Sequence, residues 1–288
     1  MRRLPPQLVL GLALVAVVWP LNWTLPGVRT HYLFFPLWLG YVLTVDGLNE
    51  RLSGTSPWRR SRRSWLLLFV ASVPAWWLFE ALNLRTGNWV YLGRERFSDF
   101  EFAFFASLDF STVLPAVLET AELLAGRRWL RRRRPGWRLP LHSRAQLVWV
   151  AVGTAALAAL LLWPRWFYPM IWLGLVPLLL PLAGRRRPQG LTARMAAGDW
   201  RPALALALGA LTCGVFWELW NFWSFPKWTY YVPEVDFGRL FEMPLLGYLG
   251  YLPFGVEVGL LAEALLGARL DGVPGLPSQP RRAAVTSP

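Results

Sequence analysis

Apolar stretches of close to twenty residues recur along the whole chain, and the segments between them are short and rich in arginine. A helix needs about 20 mostly apolar residues to cross the hydrocarbon core of a bilayer. Backbone in lipid must also satisfy its own hydrogen bonds, which favours helices over open strands. The pattern predicts an all-α, polytopic transmembrane helix bundle. Runs such as LAALLLW at 157–163 are apolar at consecutive positions, unlike the alternating strands of a membrane barrel. Eight spans are expected, at about 8–26, 32–49, 64–84, 101–123, 145–163, 166–183, 201–223 and 240–266. The start, MRRLPPQ followed by LVLGLALVAVV, resembles a signal peptide. Its apolar run continues to Trp19 and beyond without a small-x-small cleavage site, so it is read as a retained first span.

Polar positions inside the apolar sequence repeat. Glu80, Asn83, Pro115 and Glu119 recur 138 residues later as Glu218, Asn221, Pro253 and Glu257, and Trp89 and Tyr91 recur 139 residues later as Trp228 and Tyr230. Earlier in each half, FFPLWLGYVLTVDGLNER lies over FYPMIWLGLVPLLLPLAGRR, with Trp38 over Trp172 and Gly40 over Gly174 at a spacing of 134. The chain therefore reads as a tandem repeat of two four-helix units. These are residues 1–126 and 145–270, joined by a basic cytoplasmic linker over 127–144. A tail over 271–288, rich in Pro, Ser and Gly, is expected to be disordered. Four spans per unit is an even number, so both units share one orientation, related by an axis along the membrane normal rather than inverted.

Composition supports the membrane class. Hydrophobic residues make up 55% and charged residues 16%, against roughly 25% charged in a soluble domain. The net charge of +13 would suit a nucleic-acid partner, but the basic residues lie in the loops between spans, and no nucleic acid is expected. With the N-terminus inside, 23 of the 30 lysines and arginines fall on the inner side and 7 on the outer. That asymmetry predicts a multi-pass protein of the cell inner (cytoplasmic) membrane with both termini cytoplasmic. The arginine run of the linker is either a topology signal or a site for anionic lipid heads. The single cysteine, Cys213, allows no internal disulfide. His31 and His142 fall in predicted loops on opposite sides, so neither a metal site nor a cofactor is expected.

Glu80 and Asn83 are three residues apart, as are Glu218 and Asn221, so each pair shares a helix face. A carboxylate at the bilayer centre costs about 2.5–3.5 kcal/mol on insertion scales. Such pairs turn inward, either as carboxyl–amide bonds that pin helices together or as chemistry. Pro115 with Glu119, and Pro253 with Glu257, are read as mid-helix kinks carrying a carboxylate on the same face, a second polar layer at another depth. Glu242, at the outer start of the eighth span, is the expected partner of Glu218 in depth. The first half has Phe104 at that place, and carries Asp109 where the second has Gly247. Lys227, the chain's only lysine, is either solvated or paired with Glu218 or Glu242. The tryptophans suit interfacial anchoring, and those beside Glu218 offer ring faces that attract a cation. The chain has no Gly-rich nucleotide loop, no Ser-His-Asp order, no CxxC and no Asp-rich diphosphate motif. Their absence argues against ATP hydrolysis, covalent hydrolysis and magnesium-dependent prenyl transfer.

An acid beside tryptophan, then GNWVY or KWTY, then a proline-bearing helix with a carboxylate resembles the lycopene cyclase domain of the integral membrane carotenoid cyclases. The match is best over 77–91 and next over 216–230; at the family's P-x-E-E element this chain has FEMPLLGYLGY, with Glu242 ahead of Pro244. The resemblance implies a fold relative whose partner is a membrane lipid, a polyene or isoprenoid substrate. An acid–base cyclase or isomerase would use a desolvated carboxyl as proton donor. The expected catalytic set is Glu218, Glu242, Glu80, Asn221 and Asn83. The expected lining is Trp217, Trp220, Trp228, Tyr230, Lys227, Trp89 and Tyr91. Two other classes stay open: a proton- or solute-coupled transporter working through carboxylates staggered in depth, and a structural or accessory membrane protein whose Glu–Asn pairs are glue.

Overall fold

A computed structural model of the chain describes residues 4–132 and 136–270. Arg2, Arg3, Arg133, Arg134 and the tail expected to be disordered lie outside the described residues. Among the described residues eight long helices follow one another: α1 (Pro6–Thr24), α2 (Thr30–Ser53), α3 (Arg62–Thr86), α4 (Asp99–Ala125), α5 (Ser143–Leu162), α6 (Pro164–Arg186), α7 (Arg201–Phe222) and α8 (Leu245–Leu270). Seven of them are long and apolar enough to cross a membrane, and α2 is the exception. Asp46, Asn49 and Glu50 lower its hydropathy, yet Asp46 and Asn49 are buried inside the protein. The chain is an all-α, multi-pass integral membrane protein.

Neighbours in the first half have counterparts in the second. α1 packs on α2 and α5 on α6; α2 and α3 pack on α4, while α6 and α7 pack on α8. The halves meet where α4 touches α7 and where α3 touches α8. Among the seven apolar spans, α1 and α5 are peripheral, whereas α4, α7 and α8 are the most enclosed. Helices come close at glycine. A Cβ on Gly255 of α8 would lie 2.2 Å from the Leu206 carbonyl oxygen of α7, so no larger residue fits without moving backbone.

Gly87, at φ +62°, ends α3 in the left-handed region and turns the chain into a short strand, β1 (Trp89–Leu92). After α7 comes its partner, β2 (Lys227–Tyr230). They pair antiparallel, with Trp89 opposite Tyr230, Val90 opposite Thr229 and Tyr91 opposite Trp228. A two-fold axis through the Val90–Thr229 pair, normal to the ribbon, maps one strand onto the other. Side chains alternate along a strand, so Trp89, Tyr91, Trp228 and Tyr230 share one face of the ribbon.

Three expectations about helix boundaries change. The eighth span does not begin at 240, because β3 (Arg239–Leu240) and β4 (Met243–Pro244) form a small hairpin with Glu242 in its turn. Pro115 is the third residue of the segment Val113–Ala125, and Pro253 the third of Tyr251–Leu266. Amides of a helix's first turn have no intrahelical acceptor, so proline there forfeits no bond. Both prolines lie inside a long span, α4 or α8, but in the first turn of its second segment, just after the span is interrupted, rather than within one continuous α-helical run. The linker also docks. Gly136 N–H donates to the Gly198 carbonyl at 2.6 Å, Leu139 N–H to the Met195 carbonyl at 3.1 Å, and Trp137 stacks on Trp200.

Beside this docking site Asp199 accepts from Arg201 Nε at 2.7 Å and Arg194 Nε at 2.8 Å. Burial works against its charge, but the hydrogen bonds from Arg201 and Arg194 outweigh burial and hold the carboxyl at about 2. That lies below the unfolded value of about 3.9. The contribution to stability is therefore complete above the unfolded value and is lost as pH falls from about 4 toward 2. Asp199→Asn should unfold at lower temperature than wild type at pH 7, with the difference vanishing near the acid end; thermal unfolding in detergent across pH checks this.

Candidate functional site

Each half builds the same local unit. α3 carries Glu80 and Asn83; α7 carries Glu218 and Asn221. Asn83 Nδ2 donates to the Trp89 carbonyl at 2.8 Å while its Oδ1 accepts the Trp89 N–H at 3.2 Å. Asn221 does the same to Trp228, at 2.7 and 2.9 Å. Two backbone bonds thus fix each strand to its helix, and strand alternation delivers the tyrosine two residues on to the glutamate. Tyr91 Oη donates to Glu80 Oε1 at 2.6 Å, and Tyr230 Oη to Glu218 Oε1 at 2.6 Å. Asn83 and Asn221, expected in the catalytic set, are clamps that position the ribbon.

The remaining donors differ between the halves. Glu80 Oε1 also receives Trp76 Nε1 at 2.8 Å and Trp89 Nε1 at 3.1 Å. The residue matching Trp76 is Gly214, where a Cβ would lie 2.5 Å from the Tyr251 ring. Tyr251 fills that space, and its hydroxyl donates to Glu218 Oε1 at 2.8 Å. Trp228 Nε1 donates to Tyr230 Oη at 2.7 Å, and Glu218 Oε2 is buried without a partner.

Between the halves, on the inner face of the ribbon, lies a cavity of about 390 Å³. Small-ligand sites commonly span about 300–1,000 Å³. Its wall includes Trp76, Trp89 and Tyr91 from the first half and Trp217, Trp228, Tyr230, Tyr251 and Phe254 from the second. Six expected lining residues are in place: Trp217, Trp228, Tyr230, Lys227, Trp89 and Tyr91. Trp220 is not. It is 1% exposed and packs edge-on against Trp38 and Trp19 in the core. Glu80 and Glu218 stand behind the tyrosines and do not line the cavity. Burial, and then the adjacent carboxylates, push the Tyr91 and Tyr230 phenols above the ordinary tyrosine range. Both therefore keep their protons at physiological pH.

Glu242, expected to match Glu218 in depth, makes no hydrogen bond to it, and Lys227 takes Glu242 of its two expected partners. Glu242 forms an ion pair with Lys227 and accepts from Thr229 Oγ1 at 3.3 Å, because the hairpin turn holds it against β2. Lys227 Nζ also donates to the Phe222 carbonyl at 3.2 Å. Glu119 and Glu257 lie away from the cavity, each fully buried. Glu119 accepts from Asn49 Nδ2 and Trp65 Nε1, both at 3.0 Å. Glu257 sits against the backbone N–H of Leu175, the first residue of the helical segment Leu175–Arg186, with neither oxygen in a formed hydrogen bond.

Sequence reasoning left out Trp172, Phe254, Arg94, His31 and Asp109, all of which line the cavity. Trp172 lies in a matched segment, and Asp109 stood out as an unmatched carboxylate. His31, expected in a loop, is the second residue of α2 and stacks on Phe97 at 3.9 Å between ring centroids; nothing in the sequence signals this. Comparison of the chain with protein-family models, with curated proteins and with solved structures finds no match.

Proposed function

We propose that this integral membrane protein catalyses a redox-neutral acid–base rearrangement, cyclisation or double-bond isomerisation, of an apolar polyene or isoprenoid lipid. One observation carries the reading: two tyrosines from different halves, one backed by the fully buried Glu218 and the other by the half-buried Glu80, border one cavity walled by tryptophan and phenylalanine. The resemblance to the lycopene cyclase domain points to the same substrate class. Glu218 is assigned the acid, because its Oε2, buried without a donor, is where a proton would sit. The protonated carboxyl of Glu218 turns to bring its O–H to the Tyr230 oxygen. As that proton transfers, the phenol hydrogen is released from its bond to Oε1 and passes to the cavity. An alkene π pair takes that proton as a new C–H bond, leaving a carbocation next to the faces of Trp217 and Trp228. A second alkene closes a ring on the cation, or none does. An adjacent C–H then loses its proton, and its electron pair becomes the new double bond. Glu80, receiving three donors, is assigned the base that takes this proton through Tyr91. The substrate's atoms and electrons balance; each turnover moves one proton from Glu218 to Glu80, and exchange with water restores both carboxyls before the next. The excess of 23 basic residues over 7 supports a cytoplasmic location for both termini, which sets the ribbon and cavity at the outer face of the inner membrane.

Expression in cells that accumulate lycopene or squalene should yield a product isomeric with the supplied polyene, and Glu218→Gln should remove it. No product from either polyene would contradict the reading.

A second reading, proton- or solute-coupled transport, draws on Glu257, whose buried oxygens have no formed hydrogen bond. It predicts proton-dependent flux in liposomes that Glu257→Gln abolishes.

A further inference from the structure

We infer that the cavity prefers an isoprenoid lipid with an anionic head, a phosphate or a carboxylate, whose charge rests among Arg94, Lys227 and His31. The inference rests on the lipid reading above and names the polar end of that lipid. All three basic side chains line the cavity, and they meet at one end of the ribbon. Leu92 pairs with Lys227 there. The chain then turns at Gly93, where a Cβ would lie 3.0 Å from the Phe225 ring and 3.1 Å from Pro226. This brings Arg94 beside the start of β2. Thr30 ties α2 to the same place. Its N–H donates to the Phe225 carbonyl at 3.0 Å, and its Oγ1 accepts the Phe225 N–H at 2.6 Å. His31 follows Thr30 and stacks on Phe97, whose carbonyl accepts from Arg94 Nη1 at 2.8 Å.

The other end of the ribbon does not repeat this charge. At the repeat spacing of 139, Lys227 matches Asn88 and Arg94 matches Pro233; at 134, His31 matches Arg165. Arg165 pairs with Glu234 at 2.8 Å and is not part of the wall. The wall at that end is Trp89, Val232, Val235 and Leu249. An anionic head therefore has one favoured place, and the chain behind it runs among Trp172, Trp217 and Phe254.

The cations have donors to spare. A guanidinium carries five N–H bonds and an ammonium three. Arg94 commits Nη1 to the Phe97 carbonyl and Nη2 to Asp99, and Lys227 binds Glu242 and the Phe222 carbonyl. Their side chains are 32% and 25% exposed, so a ligand can reach them. Asp99 is fully exposed, which leaves its pairing weak. Neither Asp99 nor Glu242 lines the cavity, so the wall presents the cations with their counter-ions behind them. The His31 ring forms no hydrogen bond with the described residues and has an N–H to give. The one carboxyl of the wall, Asp109, lies deeper, against the backbone N–H of Phe35, one turn of α2 beyond His31. Hydrogen bonds from a cation to an oxyanion are roughly twice as strong as neutral ones.

Binding of geranylgeranyl phosphate, geranylgeranoic acid, geranylgeraniol and geranylgeranylamine tests this. Tryptophan fluorescence of the full-length protein in phosphatidylcholine nanodiscs, with empty discs subtracted, gives the affinities. Wild type should bind at least one of the anions about tenfold tighter than the alcohol, and the amine more weakly than the alcohol. The tighter anion identifies the head. Arg94→Gln should reduce the preference for the anion about threefold or more. Lys227→Met, made together with Glu242→Gln so that no carboxylate is left without its cation, should do the same. Alcohol binding by the same samples reports whether the cavity is intact. If wild type binds the alcohol as tightly as both anions, the inference is overturned and the cavity reading stands, whether or not the variants fold. A preference undiminished in both variants would also overturn it. Binding of none of the four would overturn both.

Discussion

Tyr230→Phe should lower product formation by about 10²–10⁴-fold, the range contributed by a positioned general acid or base. Phenylalanine keeps the ring in the cavity wall and removes only the hydroxyl. What is lost is the 2.6 Å link to Glu218 and the acceptor of the Trp228 indole N–H. The apolar wall is preserved, so lipid binding should stay within about threefold of wild type, as a single polar contact is small against the buried apolar area. Glu218→Gln should fall in the same range, and the double variant should be no worse than either single one, because the two side chains act as one relay. Single-turnover kinetics in proteoliposomes separate the loss of chemistry from the loss of binding. Additive effects of the two substitutions would mean that Tyr230 and Glu218 act independently, against the relay.

Asn221→Ala should cost about 2–4 kcal/mol of unfolding free energy, because it strands the N–H and the carbonyl of Trp228 after removing both of their partners. Asn221 is fully enclosed, so water does not readily replace the amide. Asn221→Asp keeps the acceptor for the Trp228 N–H and loses the donor to its carbonyl, so it should be less damaging in the bond count but adds a buried charge. Asn83→Ala should behave alike at Trp89. Unfolding in mixed micelles gives the stability. Product formation should also fall, through misplacement of Tyr230, in proportion to the loss of ribbon order seen by hydrogen exchange. A stable Asn221→Ala with an intact ribbon would remove the clamp from the account.

The helical membrane fold was legible because hydropathy reports it directly, and the inner polar residues were legible because they recur at matching spacings. Glu80, Asn83, Trp89 and Tyr91, with Glu218, Asn221, Trp228 and Tyr230, do come together. Their roles were not legible. Helical spacing places Glu218 and Asn221 on one face, but a helix face does not reveal which strand will lie across it. Hence an asparagine that clamps backbone looks like a catalytic amide, and the tyrosine that faces the cavity looks secondary to the glutamate behind it. Trp220 was misplaced for a reason visible in retrospect. Residues two apart do not share a helix face, so Trp220 turns away from the side that bears Glu218 and packs on Trp38. Glu242 was misplaced because Gly238 and Phe241 adopt left-handed backbone, at φ +59° and +58°, and form a hairpin inside sequence that reads as a span. Phe241 gives no turn signal. The polar groups of α2 depressed its hydropathy, while their buried partners come from distant helices and are invisible along the chain.

The claim at the centre of this account is that a proton passes from the protein to a carbon of the lipid at each turnover. Running the reaction in deuterium oxide and weighing the product by mass spectrometry tests it most directly. The account predicts deuterium on carbon in the product, at a level that falls with product yield in Tyr230→Phe and Glu218→Gln. A product formed in full yield with no deuterium on carbon would contradict it.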